Sequence, residues 1–165
     1  GCYNTATLTL RVNTLPTATA ATLTACEENP LGSGIGIFTL TQANNTVNSG
    51  AGVTITYHNT LAEAQSGAGA LPSIVSSTSK VIYARVVTTA TGCYNTVQVT
   101  LTVQARPRVY AAVLQKCPIA FDGLTAMFTL SDANTQVTGG VSGLTTSYHF
   151  NLLDAQLNEP VAGFR

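Results

Sequence analysis

Apolar and polar residues alternate over the first stretch of the chain, residues 1–12. Leu8, Leu10 and Val12 occupy every second position, and polar side chains lie between them. A period of two is the pattern of a β-strand that buries one face. We therefore predict that residues 1–12 form a strand.

The strongest alternation lies later, in residues 80–87 and 93–103. Ile82, Ala84 and Val86 share one face of the first of these segments. The short turn between the two segments predicts that they pair as a hairpin. Three earlier strands are predicted at residues 17–25, 35–41 and 53–59, and the intervening residues 42–52 and 70–79 are predicted to be irregular.

Two local signals refine this pattern. Gly36 lies inside a predicted strand, which indicates a bulge or a close approach of another backbone. Thr60 and Glu63 have the spacing of a capping box, in which a hydroxyl and a carboxylate satisfy free amides at a helix start. We expect one or two helical turns there, ended by Gly67.

The segment that begins at Gly92 repeats the one that begins at Gly1, at an offset of 91 residues. The same offset relates Pro16 to Pro107 and Tyr57 to Tyr148. Repetition at a fixed period is the sign of a tandem array. A unit of this size is close to the roughly 100 residues of an immunoglobulin-type sandwich. We predict an all-β fold of tandem immunoglobulin-like antiparallel β-sandwich repeats of about 91 residues.

The repeat divides the chain into three parts. Residues 1–14 are predicted to be the last strand of a preceding repeat, residues 15–104 a complete repeat, and residues 105–165 the first part of the following one. The third part contains no counterpart of residues 80–103. We therefore expect it to fold poorly by itself, with an unpaired sheet edge.

The composition limits the partners. Charged residues make up 8% of the chain and the net charge is zero, whereas an ordinary globular chain has about 25% charged residues. No basic surface is available to neutralise phosphates, so we expect no nucleic-acid partner. No apolar run approaches the roughly 20 residues that span a bilayer, and we expect no membrane insertion. The uncharged, Thr-rich sequence favours an extracellular location.

The four cysteines occur as two per repeat, because Cys2 matches Cys93 and Cys117 matches Cys26. Cys26 and Cys93 lie in the one complete unit, so we predict a disulfide between them. Cys2 and Cys117 would each need a partner outside this sequence. The alternative is four buried free thiols, since cysteine is often buried without bonding.

Five short motifs recur in the order and spacing of a known group of repeats. They stand at residues 23–26, 38–44, 53–65, 82–86 and 91–103, with Pro107 after the last. In this the chain resembles the giant surface adhesins of gliding and related Bacteroidota, which the type IX secretion system exports. The resemblance implies an extracellular, cell-surface module without catalytic activity, and neighbouring repeats of the same chain as partners. In similar repeats the turn after the first cysteine suits calcium, which makes Glu27 and Glu28 candidate ligands here.

The other candidate chemistry is sparse. His58 and His149 occupy one position of the repeat, and each unit offers only this one histidine and three or four acidic residues scattered over its loops. We expect no catalytic residues and no cofactor apart from the calcium candidate at Glu27 and Glu28. Ca²⁺ takes six to eight oxygen ligands, and this turn offers few.

Two function classes remain. The first is a structural or adhesive repeat of a long extracellular filament that serves gliding motility or surface attachment, with surface polysaccharide or the substratum as a further partner. Many weak sites in such an array act together through avidity. The second is a carbohydrate-binding β-sandwich module of a secreted protein, which uses a flat aromatic face. The chain has no Trp, the residue best suited to such a face.

Overall fold

The computed structural model describes residues 1–119 and 125–158. The chain divides into two compact units, Gly1–Arg106 and Pro107–Arg165. The first unit is rich in strands and has only short helices. The alternating pattern of the sequence thus leads to a β-rich fold.

Six strands lie in the first unit, all of which is described. They are β1 (Ala21–Cys26), β2 (Gly36–Thr39), β3 (Val53–His58), β4 (Ile74–Ser77), β5 (Lys80–Thr88) and β6 (Tyr94–Gln104). β1, β6, β5 and β3 form a four-stranded sheet in that order, and β2 pairs with β4.

The predicted hairpin is confirmed, because β5 and β6 pair in antiparallel fashion with Ile82 opposite Val99. One pair departs from the predicted antiparallel arrangement. β1 runs parallel to β6, with Ala21 opposite Val99 and Cys26 opposite Gln104. Parallel neighbours cannot be joined by a tight turn, and here they are the first and last strands of the unit.

Both sheets contribute to one core. Ile82, Ala84 and Val86 of β5 are fully buried, which confirms their predicted face. Phe38 of β2 and Leu101 of β6 lie in the same cluster. Burial of a side chain of this size contributes about 1.5–3 kcal/mol, so this shared core is what holds the two sheets together.

Gly36 is confirmed as a point of close approach. A Cβ atom at this position would lie 3.0 Å from the Cβ of Ala25, 3.3 Å from the carbonyl oxygen of Cys26 and 3.3 Å from Cγ2 of Val103. Contacts this short leave no room for a side chain. Glycine therefore lets β2 pass beside the end of β1.

The predicted capping box is also present. α2 (Leu61–Ser66) follows Thr60, whose hydroxyl accepts a hydrogen bond from the Glu63 amide at 3.2 Å. The Glu63 carboxylate in turn accepts from the Thr60 amide at 3.0 Å. Gly67 ends the helix with a φ of 78°, in the left-handed region that glycine tolerates.

Two of the segments predicted to be irregular contain regular structure. Within residues 42–52, a 3₁₀ turn (Leu40–Ala43) leads into α1 (Asn44–Val47). Ala43 and Val47 are four positions apart and both buried, so they anchor this turn to the core. Within residues 70–79, β4 forms because it pairs with β2. Only two apolar residues mark it in the sequence, which is too short a run for a periodicity.

The predicted strand over residues 1–12 is wrong. These residues have no regular structure and are all exposed, including Leu8, Leu10 and Val12. The matching segment, β6, is a strand because β5 and β1 bond to its two edges. Residues 1–12 have no such neighbours among the described residues, and sequence alternation alone does not satisfy backbone donors and acceptors.

The second unit contains only helical elements among its described residues. They are a 3₁₀ turn (Leu130–Ala133), α3 (Asn134–Thr138) and α4 (Leu152–Leu157). In the first unit β1, β2 and β3 bond to β6, β4 and β5 respectively. No described residue of the second unit corresponds to β4, β5 or β6, so its segments that match β1, β2 and β3 have no ladder partner there. Helices bond internally and form in both units.

Matching positions of the two units make matching contacts. The Tyr57 hydroxyl donates to Oδ1 of Asn44 at 2.7 Å, and the Tyr148 hydroxyl donates to Oδ1 of Asn134 at 2.7 Å. The backbone bond from Thr19 to Val47 recurs from Tyr110 to Val137, at 3.0 Å in both cases. In the second unit these contacts border an open apolar cleft of about 490 Å³. Its lining residues are Ala112, Leu114, Phe128, Leu130, Ala133, Val137 and Tyr148.

Candidate functional site

Two of the three cysteines of the first unit, Cys26 and Cys93, lie at opposite ends of β6. Cys26 is the last residue of β1 and lies beside Gln104, the last residue of β6. Cys93 directly precedes Tyr94, the first residue of β6. Cys26 is exposed and Cys93 is half-buried.

This arrangement does not bring Cys26 and Cys93 together. β6 has eleven residues, and a strand rises about 3.3 Å per residue, so the two cysteines are roughly 35 Å apart. Cα atoms more than about 7 Å apart cannot be bridged by a disulfide without backbone movement. The predicted bond within the unit therefore does not fit the fold, because the sequence prediction did not include the parallel pairing of β1 with β6.

The end of the unit that holds Cys26 is also the end where the chain leaves it. The Glu27 amide donates to the carbonyl of Gln104 at 2.8 Å, which ties the two strand ends together. Beyond Gln104, the Arg106 side chain donates to Oδ1 of Asn29 at 3.2 Å. The departing segment is thus fastened to the turn that follows Cys26. We call this end, defined by Cys26, Glu27 and Gln104, the exit end.

Glu27 orders the turn at the exit end. Its buried carboxylate accepts a hydrogen bond from the Gly34 amide at 2.6 Å. Donation from the amide of Gly34, and then from that of Gly32, lowers the pKa of Glu27 below its usual value, and Arg106 adds to this effect. The charged carboxylate therefore takes the place of backbone partners inside this turn.

Glu28 has a different environment. One of its carboxylate oxygens lies 3.8 Å from the Arg106 guanidinium, and both side chains are well exposed. The two candidate calcium ligands, Glu27 and Glu28, thus face amide and guanidinium donors respectively. Among the described residues, no three His, Cys, Asp or Glu side chains form a group suited to a metal ion.

The opposite end of the unit receives the chain. The Asn95 side chain donates to the carbonyl of Pro16 at 3.2 Å, which holds the incoming segment against the start of β6. Cys93 lies two residues away, and its carbonyl accepts from the Thr88 amide at 2.9 Å. Cys93 therefore borders the segment that enters the unit. We call this end, defined by Pro16, Cys93 and Asn95, the entrance end.

Hydrogen bonds and a ring contact hold the Arg85 side chain within the first unit. Its guanidinium donates to the carbonyls of Ala64 at 2.8 Å and Gln65 at 2.7 Å, which are among the unpaired carbonyls at the end of α2. The guanidinium also lies 3.6 Å from the ring centroid of Tyr94. Arg85 thus covers the ring face that an aromatic carbohydrate platform would need.

His58 is fully buried and bonded through both ring nitrogens. Nδ1 lies 2.7 Å from the Ala68 carbonyl, which can only accept, so this nitrogen carries the proton. In the neutral ring Nε2 then accepts from the Thr56 hydroxyl at 2.9 Å. In the second unit Nε2 of His149 has the matching contact, 2.8 Å from the Ser147 hydroxyl. These contacts fix the ring within the fold.

Sequence reasoning missed the residues that join the incoming and departing segments to the unit. Asn95 and Arg106 act through partners that are 79 and 77 positions away. No local motif marks such contacts. The recurrence of Asn4 as Asn95 was visible, but it did not distinguish a joint from an ordinary strand residue.

Comparison with known proteins gives one family. Residues 22–107 match the model of the Flavobacterium inter-domain disulphide bond domain, which covers more than half of the chain and indicates a flavobacterial origin. No curated protein and no solved structure matches the chain. In the described part of the chain, no helix is both long and apolar enough to cross a membrane.

Proposed function

Since the chain belongs to the Flavobacterium inter-domain disulphide bond domain family, we propose that it is a stretch of a structural, adhesive repeat array. The array forms a filament on the outside of the cell, and consecutive repeats are joined by disulfides between domains. Each repeat is an immunoglobulin-like β-sandwich of about 91 residues.

The observation that carries this proposal is the separation of the entrance end from the exit end. Pro16 is held at the start of β6 by Asn95, and the chain leaves beyond Gln104 at its other end. Because the chain enters such a domain at one end and leaves it at the other, consecutive domains extend in one direction. Tandem copies therefore form a filament. The sequence offset and the matching contacts of Tyr57 and Tyr148 support the tandem copies.

The strand arrangement supports the sandwich. A sheet of β1, β6, β5 and β3 shares one core with the pair β2 and β4. Immunoglobulin-type domains likewise enclose one core between two sheets, with the last two strands adjacent in one of them. In the first unit those adjacent strands are β5 and β6.

The chemistry of the bond supports the proposed extracellular location. Structural disulfides persist in oxidising surroundings outside the cytoplasm, and the family is described by such a bond. The low charge of the chain suits a secreted surface protein. The resemblance to gliding adhesins adds export by the type IX secretion system and a role in motility or attachment.

Deleting whole repeats tests the array directly. Each in-frame deletion of 91 residues should shorten the surface filament by roughly 35–40 Å, because one repeat is about as long as β6 with its linker. Electron microscopy of cells labelled with an antibody against residues 17–104 measures this length, and attachment assays on the same cells measure adhesion.

The control is a variant with the same number of repeats in a different order, for which the filament length should not change. The proposal fails if the antibody labels only permeabilised cells. It also fails if filament length does not depend on the number of repeats.

A further inference from the structure

We infer that in the array the cysteine at the Cys26 position of one repeat forms a disulfide with the cysteine at the Cys93 position of the following repeat. This pairing rests on the proposed tandem array, and it specifies the partner that the family description leaves open. It also implies that the pairing predicted from the sequence, within one repeat, does not occur.

The two thiols of a repeat lie at its two ends. Cys26 is exposed at the exit end, beside Gln104. Cys93 lies at the entrance end, two positions from Asn95. Each repeat thus carries one thiol at either end, and the length of β6 keeps these two thiols apart.

The connection between consecutive repeats is short. β6 ends at Gln104, and Tyr110 is the first residue of the second unit with a backbone bond to α3. The few residues between them span at most about 3.5 Å each, so roughly 20 Å in all. For two matching ends of consecutive repeats to meet, this connection would have to span the length of a whole unit, about 35 Å or more. The short connection therefore favours contact between the exit end of one repeat and the entrance end of the next.

Every other pairing of these cysteines requires distant ends to meet. Joining two Cys26 positions, or two Cys93 positions, would require matching ends to meet. Joining Cys26 to Cys93 of the same unit would require the two ends of β6 to meet. Only the pairing from Cys26 to the Cys93 position of the following repeat spans a single junction.

The chemistry needs an oxidant. A thiolate at one position attacks the disulfide of a thiol oxidant of the oxidoreductase class, which forms a mixed disulfide. The second thiolate then displaces the oxidant from it. Two thiols become one S–S bond, and their two electrons and two protons leave with the oxidant, which becomes a dithiol.

Peptide mapping of the native protein tests the pairing. Cells are treated with an alkylating agent without reduction, and the purified protein is digested with trypsin. The Lys and Arg positions place Cys2, Cys26, Cys93 and Cys117 on four separate peptides. Mass spectrometry should find the Cys26 peptide linked to the Cys93-position peptide of the following repeat. A peptide that links Cys26 to Cys93 itself, or alkylation of both residues, would overturn the inference.

A matched pair of variants separates the alternatives. Cys26→Ser should expose one new alkylatable thiol, at the Cys93 position of the following repeat, while Cys93 stays protected. Cys93→Ser should expose the Cys26 position of the preceding repeat, while Cys26 stays protected. If Cys26→Ser frees Cys93, the pairing is within one repeat and the inference is wrong.

The outcome is distinguishable from failure of the proposed function. Surface labelling and filament length test the array, whereas peptide mapping tests only which cysteines are joined. The 165-residue chain provides a further check, since Cys26 and Cys93 should both remain alkylatable in its monomer under oxidising conditions. An intramolecular Cys26–Cys93 bond in that monomer would contradict the pairing.

Discussion

The Tyr57 hydroxyl donates a 2.7 Å hydrogen bond to the side-chain oxygen of Asn44. This bond connects β3 to α1, and Tyr57 is almost completely buried. Burial raises the pKa of Tyr57 to about 12. The hydroxyl therefore remains a donor throughout the physiological range of pH.

Replacing this hydroxyl should weaken the first unit. We expect Tyr57→Phe to lower the free energy of unfolding by about 1–2 kcal/mol, because one hydrogen bond is lost and the Asn44 oxygen loses its donor. Urea denaturation of the 165-residue chain, followed by the far-ultraviolet circular dichroism of its strands, measures the change.

Tyr148→Phe is the matched control. It removes the same bond to Asn134, but the described part of the second unit contains no strand. We expect the strand transition to be unchanged in this variant.

Alkaline pH adds a second readout. Because the pKa of Tyr57 is raised in the folded state, its contribution to stability is fully present below pH 10 and is lost as pH rises from 10 to about 12. Tyr57→Phe should lack this fall, and a fall of equal size in both proteins would contradict the assignment.

Glu27 makes the first unit sensitive to acid. Its pKa is lowered in the folded state, first by the Gly34 amide, so its contribution is present above the unfolded value of 4.5 and is lost as pH falls through the folded value. Glu27→Gln should reduce stability at neutral pH and flatten its dependence on pH below 4.5. Thermal unfolding at a series of pH values measures both effects.

Glu28→Gln is the neighbouring control. Its ion pair with Arg106 is long and exposed, and such pairs contribute little. We expect the unfolding temperature of this variant to follow that of the parent at every pH. Equal effects of the two substitutions would show that net charge, not the contact of Glu27 with Gly34, causes the dependence.

Arg85 should stabilise α2 against the sheet. It bonds to the carbonyls of Ala64 and Gln65 and stacks on Tyr94. We expect Arg85→Lys to cost about 1–2 kcal/mol, since a lysine does not reproduce the two-carbonyl contact or the planar stacking. Relative to the parent protein, amide hydrogen exchange in this variant should increase more in α2 than in β6.

Lys80→Ala on the same strand supplies the comparison for Arg85. Its ammonium group contacts only Oδ1 of Asn59 at an exposed site. We expect α2 exchange to be unaffected by this substitution. If both variants accelerate exchange equally, the effect comes from strand β5 in general and not from the end of the helix.

The sequence predicted best what depends on neighbouring residues. The capping box at Thr60, the left-handed Gly67 and the buried face of β5 all follow from local spacing. The parallel pairing of β1 with β6 does not, because its partners are 78 positions apart and no local pattern encodes their register. This pairing places Cys26 and Cys93 at opposite ends of β6, so the predicted bond between them does not fit the fold.

The same distinction explains residues 1–12 and the second unit. Both carry the alternation of strands, yet neither forms one among its described residues. A strand needs a partner for its backbone groups, and the partner is chosen by the fold. The helical elements need none, so Asn134–Thr138 and Leu152–Leu157 form in the second unit at the positions of their counterparts in the first.

Supplying the missing partners should therefore complete the second unit. Residue 166 would correspond to residue 75 at the offset of 91, so residues 75–104 can be appended directly after Arg165. We expect the appended segment to pair with residues 112–117 and 144–149, as β6 and β5 pair with β1 and β3. Apolar side chains of the new strands would then fill the cleft lined by Leu114, Phe128 and Leu130. Amide hydrogen exchange should show new protection in residues 112–117.

The control carries the same appended segment with its copies of Ile82, Ala84 and Val86 replaced by Asn, which removes core side chains that are fully buried in the first unit. Protection in both proteins, or in neither, would contradict the explanation that the absent strands lack only their partners.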